Sequence, residues 1–303
     1  MQRLKGFKIL TWNVGKLNWN RLGDALKWLC RKLSSSDFII CLQEVERWPE
    51  GAIVDGWEVK HALGSHTAIC WPLPIANVVS CRFESQKYAC ALNFNHLTIC
   101  SCYLPDINHP LPLFLEAIDQ IMHIRSKCSA MGANKFAFFG DLNVHMPSNI
   151  DLVTGTNAYE DWAEGVHSER IAAVIRLCQR TRCRLSSTFG TKKSFFANRT
   201  FSKGGSHSLI DYAGLLVDWR CRHLSINDEE INIAGHHRDH YPLWIQIQQQ
   251  SVKISVLSRR KVATGWCPKT NADEDRFKAR CEIKSRGILG SKLTDEQVAA
   301  KLD

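Results

Sequence analysis

Phe138-Phe139-Gly140-Asp141-Leu142-Asn143-Val144-His145 is the stretch that decides how the chain is read. An apolar run beginning near Lys135 stops at a glycine, and a carboxylate and an amide follow two residues apart. If residues 135 to 139 form a buried strand, Asp141 and Asn143 leave its end on the same side, because side chains two apart on extended chain share a face. Such a pair can address one water, one metal ion or one phosphate. Taken alone, Gly-Asp-x-Asn at a strand end is more often ordinary Asx-turn chemistry, so its meaning depends on the rest of the chain.

Toward the amino terminus the same arrangement recurs. Phe7-Lys8-Ile9-Leu10-Thr11-Trp12 is apolar enough for a strand and ends at Asn13-Val14-Gly15-Lys16, where turn-forming residues begin. Leu22, Ala25, Leu26, Leu29, Cys30 and Leu33 then fall at helical spacing between Asn18 and Leu33. A second apolar run, Phe38-Ile39-Ile40-Cys41-Leu42, leads straight into Gln43-Glu44. Strand, helix and strand with polar residues at one end is how a layered α/β protein collects a site; the plainer reading of Glu44 is a solvated residue just past a strand. The apolar stretches Thr67 to Trp71, Ile75 to Cys81, Tyr88 to Phe94 and Leu97 to Tyr103 have no helix between them and predict an antiparallel meander. Asn93-Phe94-Asn95-His96 reads as a hairpin turn within it, and its last strand ends in Tyr103-Leu104-Pro105-Asp106. Helical spacing returns from Pro112 to Met131.

Toward the carboxyl terminus, His167 to Arg182 carries Ile171, Val174, Ile175 and Cys178 as the buried stripe of a helix. Leu185 to Phe189 and Ser194 to Phe196 are short β candidates, and Cys221 to Ile226 is another. Leu209-Ile210-Asp211-Tyr212 sets a carboxylate inside a strand that continues to Val217, and a charge there requires a partner. His236-His237-Arg238-Asp239-His240 abuts the alternating strand Tyr241-Pro242-Leu243-Trp244-Ile245-Gln246-Ile247, so Asp239 and His240 stand at a strand entrance. Histidine clusters serve catalysis in some proteins and are plain loop residues in others; His236 and His237 read as loop residues.

With 303 residues and 45 % hydrophobic content, the chain can bury one large core and carry an appendage. No apolar run approaches a membrane span and no signal-peptide core precedes the first strand-like segment, so an intracellular protein with no membrane partner is expected. The 13 cysteines are scattered through apolar segments without a CxxC pair, as suits small core residues of a reducing compartment rather than zinc ligands. A formal charge of +9 favours a polyanionic partner. Residues 251–303 hold 12 Lys and Arg against 7 Asp and Glu, a net of +5, which leaves 27 against 23, or +4, for residues 1–250. The expected division is a folded domain over 1–250 and a basic, partly helical or flexible connector over 251–303.

Trp12-Asn13, Leu42-Gln43-Glu44, Tyr103-Leu104-Pro105, Gly140-Asp141-Leu142-Asn143, Ile210-Asp211-Tyr212 and Asp239-His240 stand in the order and approximate spacing of the endonuclease/exonuclease/phosphatase superfamily, which the chain resembles over residues 7 to about 247. Each block is short, but six in order form a strong joint signal. Thr200-Phe201, Gly204-Gly205 and Ser208-Leu209-Ile210-Asp211-Tyr212 are more similar to the apurinic/apyrimidinic-endonuclease-like domains of non-LTR retrotransposons than to the repair enzymes. Gly265-Trp266-Cys267-Pro268-Lys269 is similar to the connector leading to reverse transcriptase in such elements.

The resemblance implies an α/β fold, a four-layer sandwich of two β-sheets packed face to face and flanked by helices. It implies a Mg²⁺-dependent phosphodiester hydrolase, with Mn²⁺ as a substitute ion, that nicks DNA and leaves a 3′-hydroxyl. DNA is then the partner, a reverse transcriptase encoded by a parent element a second one, and the nucleus the expected location. By the same resemblance Glu44, Asn13 and Asp239 are the metal ligands, and oxygen donors of this kind suit Mg²⁺. Asp141 would orient or deprotonate the attacking water, and Asn143 would fix that water or the phosphate. His240 would donate to the scissile phosphate while Asp211 keeps it protonated, and Tyr103 would contact the phosphate or the leaving group.

Two positions depart from the family pattern. Gly15 stands where the repair enzymes carry an acidic residue, which speaks against an abasic-repair specialist, and Arg238 stands where serine is common. Residues 191–203 interleave cations with phenylalanines and read either as a hairpin lying along DNA or as a packed hairpin with solvated cations. Two alternatives to the DNA-nicking enzyme stay open: a superfamily phosphatase or phosphodiesterase acting on a small phosphoester, and a nucleic-acid-binding module without catalysis.

Overall fold

The apolar runs near Ile9, Ile39, Ile99 and Phe138 become strands covered on both faces, which is why they lack the alternation of a half-solvated sheet. A computed structural model describes residues 7–45, 47–73, 81–94, 96–159, 166–189, 199–226, 232–233, 236–237 and 239–248. The expected connector over 251–303, the strand candidates Ile75 to residue 80 and Ser194 to Phe196, and Arg238 lie outside the described residues.

In chain order the elements are β1 (Phe7–Asn13), α1 (Leu22–Leu33), β2 (Ile39–Gln43), β3 (Ala52–Val54), β4 (Trp57–His61), β5 (Thr67–Pro72), β6 (Cys81–Ser85), β7 (Ala89–Phe94) and β8 (Leu97–Tyr103). They continue with α2 (Leu111–Ala130), β9 (Lys135–Asp141), α3 (Val166–Thr181), β10 (Cys183–Leu185), β11 (Phe201–Lys203), β12 (Ser206–Ser208) and β13 (Asp211–Leu216). The last are β14 (Arg220–Ser225), β15 (Asn232–Ile233), β16 (His236–His237) and β17 (Leu243–Gln248).

Among the described residues one sheet has seven strands in the order β14-β17-β1-β2-β5-β4-β3, and the other has six in the order β10-β13-β9-β8-β7-β6. Ile9, Ile39, Cys41 and Ile69 of the first sheet pack on Leu92, Ile99, Ala137 and Phe139 of the second. Alternate residues turn outward. Leu10, Trp12, Ile40 and Leu42 cover Leu22, Ala25, Leu26 and Leu29 of α1, while Cys100, Phe136 and Phe138 cover Phe114 and Ile121 of α2 and Ile171 and Val174 of α3. The result is the expected four-layer α/β sandwich; each fully buried large apolar side chain contributes roughly 1.5–3 kcal/mol.

Two parallel pairs position the site. β1 runs beside β2 with Asn13 opposite Gln43, and β8 runs beside β9 with Tyr103 opposite Asp141. β13 enters antiparallel beside β9, pairing Asp211 with Asp141. Beneath these ends a buried polar bridge links the sheets: Thr11 Oγ1 donates to Gln43 Oε1 (3.2 Å), Gln43 Nε2 to Ser101 Oγ (3.0 Å), and Ser101 Oγ to the Leu42 carbonyl (3.0 Å). β8 and β9 approach so closely at Gly140 that a Cβ there would overlap the carbonyl oxygen of Cys102.

The structure differs from the sequence reading in several places. The expected meander is divided between the sheets, β3-β4-β5 closing the edge of one and β6-β7-β8 the edge of the other. Of its second stretch, Ile75 to Cys81, only Cys81 is among the described residues, and there a strand begins that runs over Cys81–Ser85. Leu185 to Phe189 is mostly a 3-10 turn, Ser186–Thr188, because its hydroxyls bond locally to backbone. His236 and His237 are not loop residues; they pair with Ile233 and Asn232 in a short ladder.

Candidate active site

Asn13 stands at the end of β1, Glu44 one residue past β2, Tyr103 at the end of β8, Asp141 at the end of β9, Asp211 at the start of β13 and His240 just before β17. Asn13, Glu44, Tyr103, Asn143, Asp239 and His240 line one cleft of about 450 Å³, and Asp141 and Asp211 lie buried beneath it. All eight side chains singled out from the sequence therefore meet in one region. Glu44 and Asn143 both adopt left-handed backbone (φ 53° and 49°), a conformation that costs a non-glycine residue about 1 kcal/mol or more. Each turns the chain sharply at a strand end. Backbone amides hold both turns: the Lys16 amide donates to the Glu44 carbonyl (2.9 Å), and the Asn143 amide to the Asp141 side chain at Oδ1 (2.9 Å).

The amides knit the carboxylates together. Asn13 Nδ2 donates both to Glu44 Oε1 (2.8 Å) and to Asp141 Oδ2 (2.9 Å), joining the two sheets across the cleft floor. Asn13 Oδ1 is fixed by the Gly15 amide (2.9 Å), which points it into place. Asn143 Nδ2 donates to the Leu104 carbonyl (2.8 Å) and to Asp141 Oδ2 (3.2 Å).

His240 is the pivot. Its Nδ1 lies 3.0 Å from Asp211 Oδ2 and its Nε2 3.8 Å from Asp141 Oδ2, while its carbonyl accepts from the Trp12 indole (3.1 Å). Burial alone would lower the His240 pKa; Asp211, then Asp141 and Glu44, outweigh it and raise it to about 9. Asp141 is pushed up to about 8 by burial and then by the charge of Asp211, with His240 and the Asn13 amide pulling the other way. Burial, followed by the Glu44 charge, holds the Tyr103 hydroxyl well above its ordinary range.

Asp141, Asp211 and His240 bring ligand atoms within 4.8 Å of one another. That cluster is not the expected metal set. Its imidazole Nδ1 is already engaged by Asp211, so it reads as a hydrogen-bonded relay. The expected trio of Glu44, Asn13 and Asp239 offers oxygen donors at the cleft surface, with Asp239 Oδ2 4.0 Å from Lys203 Nζ. Five carboxylates (Glu44, Asp106, Asp141, Asp211 and Asp239) line or underlie the cleft against three imidazoles (His145, His167 and His240) and one ammonium (Lys203), so negative groups outnumber positive ones even with every imidazole protonated. An oxygen-lined, anionic donor set of this kind fits a hard divalent cation.

Several further residues, to which the sequence assigns no site role, support the cleft. Thr200 is fully buried and ties the β11 and β13 ends together: its Oγ1 accepts from the amides of Ile210 (3.2 Å) and Asp211 (3.0 Å), and its carbonyl from that of Tyr241 (2.7 Å). Arg170 is fully buried on α3, its guanidinium 4.6 Å from the Phe114 ring and donating to the carbonyls of Pro105 (2.5 Å) and His109 (2.6 Å). It thereby fixes the loop whose Asp106 and Ile107 form a cleft wall. A visible signal existed, since residue 170 lies on the apolar stripe with Val174 and Leu177. His145, stacked on Tyr159 (4.3 Å), and His167 line the same wall; burial and then His167 hold the His145 pKa low.

Two face-to-face sheets whose parallel strand ends gather carboxylates, amides and an imidazole define the endonuclease/exonuclease/phosphatase type of fold. The sequence matches no family profile and no curated protein. Among solved structures the chain is similar to the endonuclease domain of TRAS1, a telomere-specific non-LTR retrotransposon (16 % identity, TM-score 0.50, 80 % of this chain and 99 % of that one). It is similar to the 3′ phosphatase NExo from Neisseria bound to product DNA hairpin (16 %, TM-score 0.53, 79 % and 98 %) and to the AP endonuclease LMAP from Leishmania major (13 %, TM-score 0.52, 82 % and 89 %). At such identities what is shared is the fold. No helix among the described residues is long and apolar enough to cross a membrane.

Proposed function

We propose that the protein is a divalent-metal-dependent phosphodiesterase that nicks DNA and leaves a 3′-hydroxyl, in the manner of a retrotransposon-type endonuclease. The observation that carries this reading is the Asp211-His240-Asp141 relay set against Asn13 and Glu44 on the floor of one cleft. Asp141, its Oδ2 held by two amide donors, takes the attacking water's proton when it is itself ionised, a form that its pKa of about 8 makes more abundant toward alkaline pH, as the water oxygen attacks phosphorus. Asn143 fixes the carboxylate and thereby the line of attack. His240, kept cationic by Asp211, turns Nε2 to the phosphate and stabilises charge gathering on its non-bridging oxygens. The bond from phosphorus to the 3′ oxygen breaks, and that oxygen leaves as the 3′-hydroxyl after taking a proton from solvent water. Glu44, Asn13 and Asp239 would hold Mg²⁺, which when bound supplies Lewis-acid neutralisation of the phosphate.

A second reading, hydrolysis of a 3′-phosphate monoester on DNA, is favoured by the likeness to the Neisseria 3′ phosphatase. The test is one protein preparation on two substrates with Mg²⁺: supercoiled plasmid and a duplex bearing a 3′-phosphate. The proposal expects relaxed circles extendable by a polymerase without end repair. Plasmid left supercoiled while inorganic phosphate is released from the duplex would decide for the second reading.

A further inference from the structure

At the end of the six-stranded sheet away from the cleft lies a separate cavity of about 340 Å³. Arg125 of α2, Lys135 at the start of β9, Arg180 of α3 and Arg182 in the turn after α3 all line it, and among the described residues no carboxylate does. Lys135 and Asp141 stand at opposite ends of β9, six residue steps or roughly 20 Å apart at about 3.3 Å each. A phosphate held in one place therefore does not occupy the other.

None of these four cations forms an ion pair among the described residues, whereas the nearby Lys127 is paired with Glu84. The plainer explanation is that they neutralise helix ends, since α2 and α3 both finish beside the cavity. Each helix C-terminus carries roughly half a negative charge. Two of them account for about one of the four positive charges and leave the rest without a counter-charge among the described residues.

Arg182 supplies an independent sign. It closes α3 through its amide, 3.2 Å from the Gln179 carbonyl, with φ at 57°. Glycine or asparagine is the usual occupant of a left-handed residue following a helix. An arginine there is worse for the backbone, and what it adds is a guanidinium in the cavity. Asn134 offers a neutral donor, and Thr98, also lining the cavity, has a buried Oγ1 beside the Cys128 thiol that makes no well-formed hydrogen bond among the described residues.

We infer that this cavity is an anion site for a phosphate-bearing ligand of two or more negative charges, separate from the cleft and independent of its chemistry. Cationic forks with neutral donors suit phosphate oxygens, and the volume falls in the range of small-ligand pockets. The phosphate could belong to a small oligophosphate or to a nucleic-acid strand.

The test compares the intact protein with the double variant Arg125→Gln, Arg182→Gly, whose glycine relieves the left-handed backbone and so should leave thermal stability unchanged or raised. Pyrophosphate and a labelled single-stranded decanucleotide are each titrated without divalent metal. Pyrophosphate binding one to one, weakened at least tenfold in the variant, with nicking activity unaltered, is the expected result. A decanucleotide that binds the intact protein, is displaced by pyrophosphate and is lost in the variant identifies a strand as the source; a decanucleotide indifferent to the variant identifies a small ligand. Equal pyrophosphate affinity in both proteins, or no saturable binding by either probe, overturns the inference.

Discussion

Replacing Asp211 by asparagine keeps the shape of a fully buried side chain and removes its charge. The amide oxygen can still accept from His240 Nδ1, so the change isolates charge from hydrogen bonding. In the native protein the His240 pKa is raised from 6.5 to about 9, with Asp211 the largest favourable cause acting against burial. That difference of about 2.5 corresponds to roughly 3 kcal/mol of preference for the cation in the folded state. Because the folded value lies above the unfolded one, the stabilisation is complete below pH 6.5 and is lost as pH rises through about 9. Asp141, raised from 3.8 by burial and then Asp211, loses stability in the same direction as pH rises. In EDTA, denaturant unfolding of the native protein should therefore give a stability that falls by about 3 kcal/mol or more between pH 6.5 and 9, His240 and Asp141 both contributing, and Asp211→Asn should flatten that fall. With Mg²⁺ at neutral pH, the variant should nick plasmid roughly a hundredfold more slowly or worse, since a preorganised donor to transition-state charge is lost. Identical pH slopes together with an undiminished rate would refute the role given to Asp211.

Glu44→Gln should abolish Mg²⁺ binding seen by calorimetry while the melting temperature in EDTA changes little; unchanged binding would remove Glu44 from the ligand set. Gly140→Ala should destabilise by about 1–3 kcal/mol or more in denaturant titration, because its Cβ would overlap backbone of Cys102 rather than a movable side chain. A stability within error of the parent would show that β8 and β9 can part there. A chain ending at residue 250 should cut DNA at the native rate under saturating substrate and bind non-specific DNA more weakly at low salt, since the removed segment carries a net +5. Loss of turnover in a folded truncated protein would assign the segment a catalytic part.

What was legible in the sequence was the set of strands buried on both faces. Ile39 to Leu42 and Phe136 to Phe139 bury every side chain, so hydropathy finds them, and the polar residue that stops each run marks the site edge. The pairing of sheets was not legible. Asn13 reaches Asp141 across 128 residues, and no local pattern reports such a contact. Likewise the short apolar stretches between Trp57 and Tyr103 carry turn signals but nothing that says which sheet each joins. One hairpin does carry a local signal: Asp55-Gly56, with both φ values positive (48° and 80°), makes the two-residue turn between β3 and β4. For the site, residue type and order brought out the groups at strand ends, while Thr200 and Arg170 act by holding other segments, and their partners become visible only once the chain is folded.

The most direct measurement is the single-turnover nicking rate of supercoiled plasmid by native protein and by Asp141→Asn, each with Mg²⁺ and with EDTA. The expected result is nicking by the native protein that requires the metal and falls at least a hundredfold in the variant, whose amide cannot take the proton of the attacking water, with a 3′-hydroxyl at each nick. Nicking that persists in EDTA, or an Asp141→Asn protein as fast as the native one, would contradict it.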